Sequence, residues 1–288
     1  MDIEPSMNRF TFTFDLEEHM PHRRDAPRFH AIVEKLLVFL EQRQVNGTFF
    51  VVGKLARDHP DLIKKIHQAG HEIGFHSWGH KQLSQETPES FARGNLEGKH
   101  ILEQIIGESI IGYRAPVFSL TPATAWAVEI LKDQGFRYSS SILPAKNPLH
   151  GFADAPKQPF QWRNGLIEIP VPVIGLGPMS IPFLGGFYLR YLPRPLLRHV
   201  CNSGQNQHLW SYVHPYDFDP EEKFGRIAGA SWFVSFLLWI NRANTFQKLD
   251  SVLNQFTPPH ASQNTVQHSF AHQIARNDFA NLPRYCPE

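Results

Sequence analysis

Cysteine is scarce in this chain, and its scarcity excludes two kinds of structure. The 288 residues include two cysteines, Cys201 and Cys286, which lie far apart. They supply neither a disulfide framework nor a thiolate zinc site. A metal ion bound by this protein must therefore have histidine and carboxylate ligands, a set that suits zinc or another divalent first-row ion.

Excess charge and long apolar runs are also lacking. The formal net charge of +1 gives no basis for nucleic-acid binding. The most apolar run, Ile227–Ile240, is shorter than the roughly 20 residues that cross a bilayer. It predicts a buried helix or, because it contains two tryptophans, a surface that contacts a membrane or a lipid-linked substrate. Residues 1–5 do not resemble a signal peptide, so we expect a cytoplasmic protein, with peripheral contact at the inner face of the membrane left open.

The patterning that is present is that of an α/β protein. A content of 42% hydrophobic and 19% charged residues is typical of a globular chain. Because strands alternate with helices of 10–19 residues, parallel β-α units and a barrel are predicted. The predicted strands are Phe10–Phe14, Thr48–Val52, His71–Phe75, Ile110–Tyr113, Phe136–Tyr138, Leu166–Val173 and Leu209–Val213, and the main helices are Arg28–Gln44, Pro60–Ala69, Pro88–Ile106 and Pro122–Gln134.

A histidine pair is the most informative local motif. His76 and His80 are four residues apart, a spacing that brings them to the same side of one helical turn. Their imidazoles can then share one metal ion. The chain has 16 histidines, so the rest of the site must decide whether this spacing has meaning.

Acidic residues follow the first predicted strand. The segment Asp15–His19 reads D-L-E-E-H, and clustered carboxylates are costly unless something cationic neutralises them. A metal held by His76 and His80 would do so. The alternative is an acidic helix start, where carboxylates interact favourably with the helix dipole.

Two further strand ends carry reactive side chains. Arg114, fixed by Pro116, is placed to bind a carboxylate through two hydrogen bonds, or else to form a surface salt bridge. His214 ends an aromatic strand, where it is suited to general acid or base catalysis, or else to capping the strand. In parallel β-α folds, the carboxyl ends of the strands gather at one face, so these groups are expected to meet.

Taken in order, these four motifs resemble the polysaccharide deacetylase family, whose domain is also called the NodB-homology domain. The resemblance covers about residues 8–255 and implies a distorted (β/α) barrel with about seven parallel strands. It is closest to the subfamily associated with exopolysaccharide export loci. Residues 256–288 are interpreted as a polar, weakly ordered C-terminal tail. The segments that carry the resemblance are Phe12–Asp15, His76–His80 (H-S-W-G-H), Arg114–Phe118 (R-A-P-V-F) and Val213–Pro215.

Two positions depart from the family pattern. Leu16 stands where the family commonly has a metal-binding aspartate, so Glu17 is the expected substitute and Glu18 the fallback. Ser139 stands where an aspartate usually orients the catalytic histidine, and Asp217 or Asp219 is the expected replacement.

The resemblance implies metal-dependent hydrolysis of an N-acetyl group from an amino sugar in a glycan. The ion is expected to be zinc, with cobalt or another first-row ion also compatible. In the implied roles, Asp15 takes a proton from water, Arg114 keeps Asp15 ionised, His214 protonates the leaving amine, and a backbone N–H near Phe118 binds the oxyanion. The implied metal ligands are His76, His80 and Glu17, and the implied substrate contacts are Phe118, Pro116 and Tyr212.

Two other functions stay open at this point. One is hydrolysis of a related amide, such as a formyl group on a lipid-linked amino sugar, which the apolar run Ile227–Ile240 favours. The other is carbohydrate binding without catalysis, which Leu16 and Ser139 favour.

Overall fold

The computed structural model describes residues 9–18, 27–146, 151–176, 179–202, 208–226, 231–256 and 269–287. Its strands are β1 (Arg9–Thr11), β2 (Thr13–Leu16), β3 (Thr48–Val51), β4 (Glu72–Phe75), β5 (Gly112–Tyr113), β6 (Tyr138–Ser139), β7 (Phe160–Trp162), β8 (Ile167–Glu168), β9 (Val173–Leu176), β10 (Met179–Pro182), β11 (His208–Trp210) and β12 (Arg284–Tyr285). Its α-helices are α1 (Phe29–Glu41), α2 (Gly53–Asp58), α3 (Pro60–Gln68), α4 (Pro88–Ile106), α5 (Trp126–Asp133), α6 (Gly186–Tyr191), α7 (Arg194–Cys201), α8 (Trp232–Trp239), α9 (Thr245–Phe256) and α10 (Phe270–Ala275).

A mostly parallel sheet forms the centre of the molecule, as an α/β fold requires. Six strands run parallel in the order β2-β3-β4-β5-β6-β8, β7 is antiparallel to β8, and β12 is parallel to β7. Beyond β2, the strand β1 pairs in parallel with β11, and a parallel bridge joins Phe14 to Val213. A further parallel bridge joins Tyr212 to Gly185.

The sheet curls as a barrel would, but backbone hydrogen bonds among the described residues do not close it. Across the gap, the indole Nε1 of Trp210 donates to the carbonyl oxygen of Pro170 at 3.0 Å, and Trp210 is fully buried. Side-chain packing thus fills the seam between β11 and the chain that follows β8. The distorted barrel expected from the sequence is consistent with this arrangement.

Consecutive strand residues face two different cores. Phe49 packs with the helices of the outer layer, whereas its neighbour Phe50 packs inside the curl with Tyr138 and Trp210. Side chains alternate across a strand, so a strand buried on both faces has a continuous apolar sequence. That is why the segment from Thr48 to Val52 reads T-F-F-V-V.

Helix α4 forms at the residues that the sequence predicts. Thr87 caps it through a hydrogen bond from the amide of Ser90, and Pro88 occupies its first turn. Gly107 ends it with a φ of 76°, a left-handed conformation that glycine adopts without strain.

The C-terminal segment differs from the weakly ordered tail expected from composition. Residues 257–268 lie outside the described residues, but α10 and β12 are formed beyond them. The amide of Phe270 donates to Oγ1 of Thr48 at 3.1 Å, and that of Ala271 donates to Oε2 of Glu72 at 2.9 Å. Thr48 and Glu72 begin β3 and β4, so α10 covers the N-terminal end of the sheet.

Candidate metal centre and catalytic cavity

A buried ion pair lies at the C-terminal end of the sheet. Arg114 follows β5 directly, and its Nη1 donates to Oδ1 of Asp15 at 2.6 Å and to Oγ1 of Thr13 at 2.8 Å. Its guanidinium carbon lies 3.9 Å from the ring centre of Phe50 and 4.5 Å from that of Trp210. Burial lowers the pKa of Arg114, and the charge of Asp15 opposes this effect. The pair therefore fixes one oxygen of Asp15 and leaves Oδ2 directed elsewhere.

The histidine pair lies on a turn rather than on the helical turn that its spacing suggested. Ser77 and His80 have φ angles of 63° and 55°, which a right-handed helix does not allow. The turn is held by the start of α2, where the amides of Gly53 and Lys54 donate to the carbonyl oxygens of Ser77 and Trp78. The two imidazole centres still come within 5.1 Å of each other, because the turn replaces the helix in bringing them together.

The tautomer of His76 follows from its hydrogen bond. Its Nδ1 lies 2.9 Å from the carbonyl oxygen of Arg114, which can only accept, so Nδ1 carries the proton. Burial lowers the pKa of His76 to about 4. The ring is therefore neutral at pH 7, and the lone pair on Nε2 faces the site, as a metal ligand requires.

Glu17 completes a group of three possible ligands. Strand alternation places Asp15 and Glu17 on one face and sends Leu16 into the core, where it is fully buried. One ligand atom each from Glu17, His76 and His80 lies within 4.8 Å of the others. Glu18, the fallback, is exposed. His19, the last residue of the acidic motif, lies outside the described residues.

The donor set of this group fits a divalent ion. Oε2 of Glu17 is buried and in contact with Nε2 of His80, without the geometry of a hydrogen bond between them. Burial raises the pKa of Glu17, but the charges of the neighbouring histidines, His80 first, lower it well below its usual range. One carboxylate and two imidazoles whose ligand atoms converge within 4.8 Å are suited to zinc or a similar ion.

His214 faces this group from the opposite side. Its Nε2 lies 3.9 Å from Oδ2 of Asp15 and 3.9 Å from Oε1 of Glu17. Its Nδ1 lies 3.1 Å from Oδ2 of Asp217, and Asp217 forms an ion pair with Arg190 at 3.3 Å. Burial lowers the pKa of His214, but the bond with Asp217 and the charge of Glu17 outweigh it and raise the pKa to about 9.

Of the two replacements expected for the aspartate absent at Ser139, Asp217 is thus the one that contacts His214. Asp219, the other residue considered, forms an ion pair with Arg28 instead. Ser139 donates to Oγ of Ser141 at 2.8 Å, within a separate buried network. The contribution of Arg190 was not foreseen from the sequence. An arginine at the end of the glycine- and aromatic-rich segment Gly185–Arg190 was the available signal.

The candidate site residues line a cavity of about 320 Å³: they are Asp15, Glu17, His76, His80 and His214. Phe118 and Tyr212 form part of its wall, as do Tyr188 and Tyr216, which sequence reasoning did not single out. Tyr216 stacks on His214 with ring centres 4.8 Å apart. Pro116 does not line the cavity; it is buried in the turn, between two neighbours that do.

The backbone amide of Phe118 is not available as the oxyanion donor that the sequence led us to expect near this residue. The amide of Phe118 donates to the carbonyl oxygen of Ala115 at 3.1 Å. Val117 and Phe118 have φ angles of 56° and 51°, and this tight turn uses the Phe118 amide internally. An oxyanion would have to find another donor.

Comparison with known families divides the chain near its middle. Residues 4–139 match the family model described as polysaccharide deacetylase, and residues 140–264 match one described as a domain of unknown function, DUF3473. This pairing is typical of the exopolysaccharide-associated subfamily. The single domain predicted over residues 8–255 spans both models, and its limits stay a prediction.

Curated relatives match shorter segments. The peptidoglycan-N-acetylmuramic acid deacetylase PdaA of Bacillus subtilis is 45% identical over 53 residues, which are 18% of this chain and 20% of that protein. A peptidoglycan-N-acetylglucosamine deacetylase of Bacillus cereus is 30% identical over 96 residues, which are 33% of this chain and 35% of that protein. The matched segments thus span about a fifth and about a third of these relatives.

A solved structure matches the whole fold. The crystal structure of a Mycobacterium smegmatis protein assigned as a polysaccharide deacetylase superposes with a TM-score of 0.64 at 22% identity. The match covers 100% of this chain and 96% of that one. The NodB-like α/β fold expected from the sequence is thereby confirmed.

Proposed function

Because this chain belongs to the polysaccharide deacetylase family, we propose that it hydrolyses the N-acetyl group of an amino sugar within a glycan. One observation carries the proposal: Oδ2 of Asp15 and Nε2 of His214 face each other at 3.9 Å in one cavity, beside the Glu17 group of ligands. Amide hydrolysis needs a base for the attacking water and an acid for the leaving amine. A carboxylate and an imidazole with different environments can supply the two roles at one pH.

Asp15 is suited to be the base. Its Oδ1 is held by Arg114 at 2.6 Å, so its orientation is fixed and its negative charge is compensated. Its Oδ2 faces the cavity and can accept a proton from a water molecule placed there.

His214 is suited to be the acid. With a pKa raised to about 9, it carries a proton on Nε2 at neutral pH. Asp217 accepts the hydrogen bond from Nδ1 and so holds the ring with Nε2 toward the cavity. The proton on Nε2 is then available to the nitrogen of the departing amino sugar.

The proposed metal ligands are Glu17, His76 and His80. A divalent ion held by them, zinc as first choice, would polarise the amide carbonyl and make a nearby water molecule more acidic. The neutral state of His76 and the ionised state of Glu17 are the forms in which these residues bind metal.

Matched variants of two neighbouring glutamates test this assignment. We expect Glu17→Gln to lower both the bound metal and the release of acetate from N-acetylglucosamine oligomers, while Glu18→Gln retains both. Metal content is measured by mass spectrometry after dialysis against zinc. Equal behaviour of the two variants would remove Glu17 from the ligand set. Glycan binding without acetate release, even with added zinc or cobalt, would favour the non-catalytic alternative.

The glycan is proposed to be an exopolysaccharide rather than peptidoglycan. The pairing of the two family models supports this choice, although the named relatives are peptidoglycan deacetylases. Faster acetate release from purified peptidoglycan than from an N-acetylated exopolysaccharide would contradict it.

A lipid-linked amino sugar, with an N-formyl or N-acetyl group, is a second candidate substrate. Trp232, Phe233 and Val234 at the start of α8 are exposed by 59%, 63% and 44%. The hydroxyl of Tyr191 in α6 donates to the carbonyl oxygen of Leu237 at 2.7 Å, and α6 also contributes Tyr188 to the cavity wall. An apolar surface is thus joined to the cavity through one helix. None of the described helices has the length and apolar character of a bilayer-spanning segment.

Liposome co-sedimentation tests this second candidate. We expect Trp232→Ser/Phe233→Ser to lose binding to liposomes, while Leu96→Ser, which removes an equally exposed apolar side chain elsewhere, retains it. No binding by the unaltered protein would contradict contact with lipid. A cytoplasmic location stays a prediction.

A further inference from the structure

A second cavity, here called the side cavity, lies across the histidine turn from the catalytic cavity. It has a volume of about 310 Å³ and is formed by the turn, the start of α2 and the first half of α4. His80 lines the catalytic cavity, while its neighbours Gly79 and Lys81 line the side cavity. The same short turn therefore separates the two cavities.

Three cations of the side cavity have no ionic partner. Lys54, Lys81 and Arg93 are exposed, and none of them forms an ion pair with any residue that the structure describes. Two carboxylates also line the cavity, but each has an interaction of its own. Glu86 accepts a hydrogen bond from Oγ of Ser90, and the charge of Glu97 acts on Arg57. Since a neutral hydroxyl does not cancel the charge of Glu86, the lining contains three cations and two carboxylates, and its net charge is positive.

A buried amide in the wall has no partner either. Asn95 in α4 lines the side cavity and is 1% exposed, yet its Nδ2 makes no hydrogen bond with the described residues. An unsatisfied buried donor is costly, so such groups are commonly completed by water or a ligand. The Nδ2 atom itself is buried, so an acceptor oxygen in the cavity would reach it only after the side chain turns outward.

The wall also offers an aromatic surface. Trp78 is half-buried and lines the side cavity, and the guanidinium carbon of Arg57 lies 5.6 Å from its ring centre. The end of the Lys54 side chain passes close to Gly79. Cations, hydroxyls and an aromatic face together suit a sugar ring that carries a carboxylate, since the ring packs on the indole and the carboxylate meets the cations. A volume of about 310 Å³ is also more than an inorganic anion fills.

We propose that the side cavity binds an acidic sugar unit of the same glycan whose N-acetyl group enters the catalytic cavity. The inference rests on the proposed deacetylase function and narrows its substrate to N-acetylated glycans that contain carboxylate-bearing sugars. The cations recognise the carboxylate, Asn95 donates to a ring or hydroxyl oxygen, and Trp78 packs on the ring.

Two oligosaccharides of equal length test the proposal. One is a neutral N-acetylglucosamine oligomer, and the other alternates N-acetylglucosamine with glucuronic acid. We expect Lys54→Gln/Arg93→Gln to raise KM for the acidic oligomer by about five- to tenfold, with kcat retained and the neutral oligomer unaffected. An equal change for both oligomers, or no change for the acidic one, would overturn the proposal.

A matched control removes two exposed cations elsewhere. Lys35→Gln/Arg198→Gln changes the net charge by the same amount on α1 and α7. We expect it to leave KM for the acidic oligomer unchanged. A rise equal to that of the first double variant would show a general charge effect and overturn the proposal.

Calorimetric binding separates this inference from the proposed function. If neither oligomer releases acetate, the deacetylase assignment fails. Titration with the acidic oligomer still tests whether the side cavity binds an acidic sugar. Binding that is lost in Lys54→Gln/Arg93→Gln and kept in the control supports the side cavity, while equal binding by both variants overturns it. Inorganic phosphate that displaces the acidic oligomer at equal concentration would indicate a site for free anions and overturn the sugar assignment.

Discussion

The two ends of the parallel sheet both enclose a glutamate, but they surround it differently. At the N-terminal end, Glu72 accepts hydrogen bonds from Oγ1 of Thr48 at 2.6 Å, from the hydroxyl of Tyr138 at 2.7 Å and from the amide of Ala271 at 2.9 Å. All three donors are neutral, and α10 covers them. Loss of hydration raises the pKa of Glu72. This carboxyl group is used to attach one part of the chain to another.

At the C-terminal end, the carboxylates face cations and a cavity. Asp15 is paired with Arg114, and Glu17 lies among the imidazoles of His76, His80 and His214. The pKa of Glu17 is lowered despite burial, which by itself would raise it. A carboxylate kept ionised beside a cavity can bind a metal or accept a proton. One that is saturated by neutral donors is not free to do either.

Glu168 shows that the partners matter more than the end of the sheet. It lies at the C-terminal end of β8, yet it accepts hydrogen bonds from the amides of Ser141 and Ile142 at 2.7 and 3.1 Å. Burial raises its pKa to about 7. Although it lies in the same sheet as Asp15, its hydrogen-bond donors are neutral like those of Glu72, and we assign it a structural role.

Replacing Asp15 is the strongest test of the contrast between the carboxylates at the two ends of the sheet. We expect Asp15→Asn to lower kcat for acetate release by about 10²–10⁴-fold, because an amide cannot take the proton from water. The amide oxygen can still accept from Arg114, but the buried guanidinium loses its counter-charge, so the unfolding temperature should also fall. Kinetics and thermal unfolding measure the two effects. A large loss of stability with kcat retained would place Asp15 with Glu72 as a structural group.

Replacing Asp217 should have the next largest effect on kcat, and the nearby Asp219 provides the control. We expect Asp217→Asn to lower kcat by about a hundredfold with KM little changed, because His214 loses the partner that orients it and raises its pKa. Asp219→Asn should leave kcat nearly unchanged, since Asp219 pairs with Arg28 and does not line the cavity. Steady-state kinetics of the two variants decide. Equal losses would remove Asp217 from its positioning role.

Replacing Glu72 should lower stability and leave activity unchanged, the opposite of a catalytic residue. We expect Glu72→Ala to lower the free energy of unfolding by about 1–3 kcal/mol, because three donors lose their acceptor. Acetate release per folded molecule should be retained. Glu72→Gln keeps an acceptor oxygen and should recover most of the stability in denaturant unfolding. A fall in kcat at unchanged stability would show that the two ends are coupled.

Local periodicity explains what the sequence predicted. Helix α4 was bounded correctly because a capping threonine, Pro88 and Gly107 mark its ends. The proposal of Glu17 in place of Leu16 follows from strand alternation, which puts residues 15 and 17 on one face. In these cases the information lies within a few residues of the feature.

The features that were missed depend on distant partners. The C-terminal residues look polar and aperiodic, but the amides of Phe270 and Ala271 find acceptors about 200 residues away in the chain. Arg190 reaches Asp217 only because α6 packs beside the turn that follows His214. No pattern of neighbours records such pairings, so the choice between Asp217 and Asp219 needed the structure.

The smallest predicted effect concerns pH and Glu168. Because its pKa in the folded state is raised to about 7 from 4.5, the folded protein binds a proton that the unfolded chain has released at pH 6. This contribution to stability is fully present below pH 4.5 and is lost as the pH rises through 7. Wild type should therefore lose about 1 kcal/mol more than Glu168→Gln between pH 6 and pH 8 in denaturant unfolding. If the stability of wild type and Glu168→Gln changed equally with pH, Glu168 would be ionised in the folded protein like Glu17. Its neutral hydrogen-bond donors would then not distinguish it from the carboxylates of the cavity.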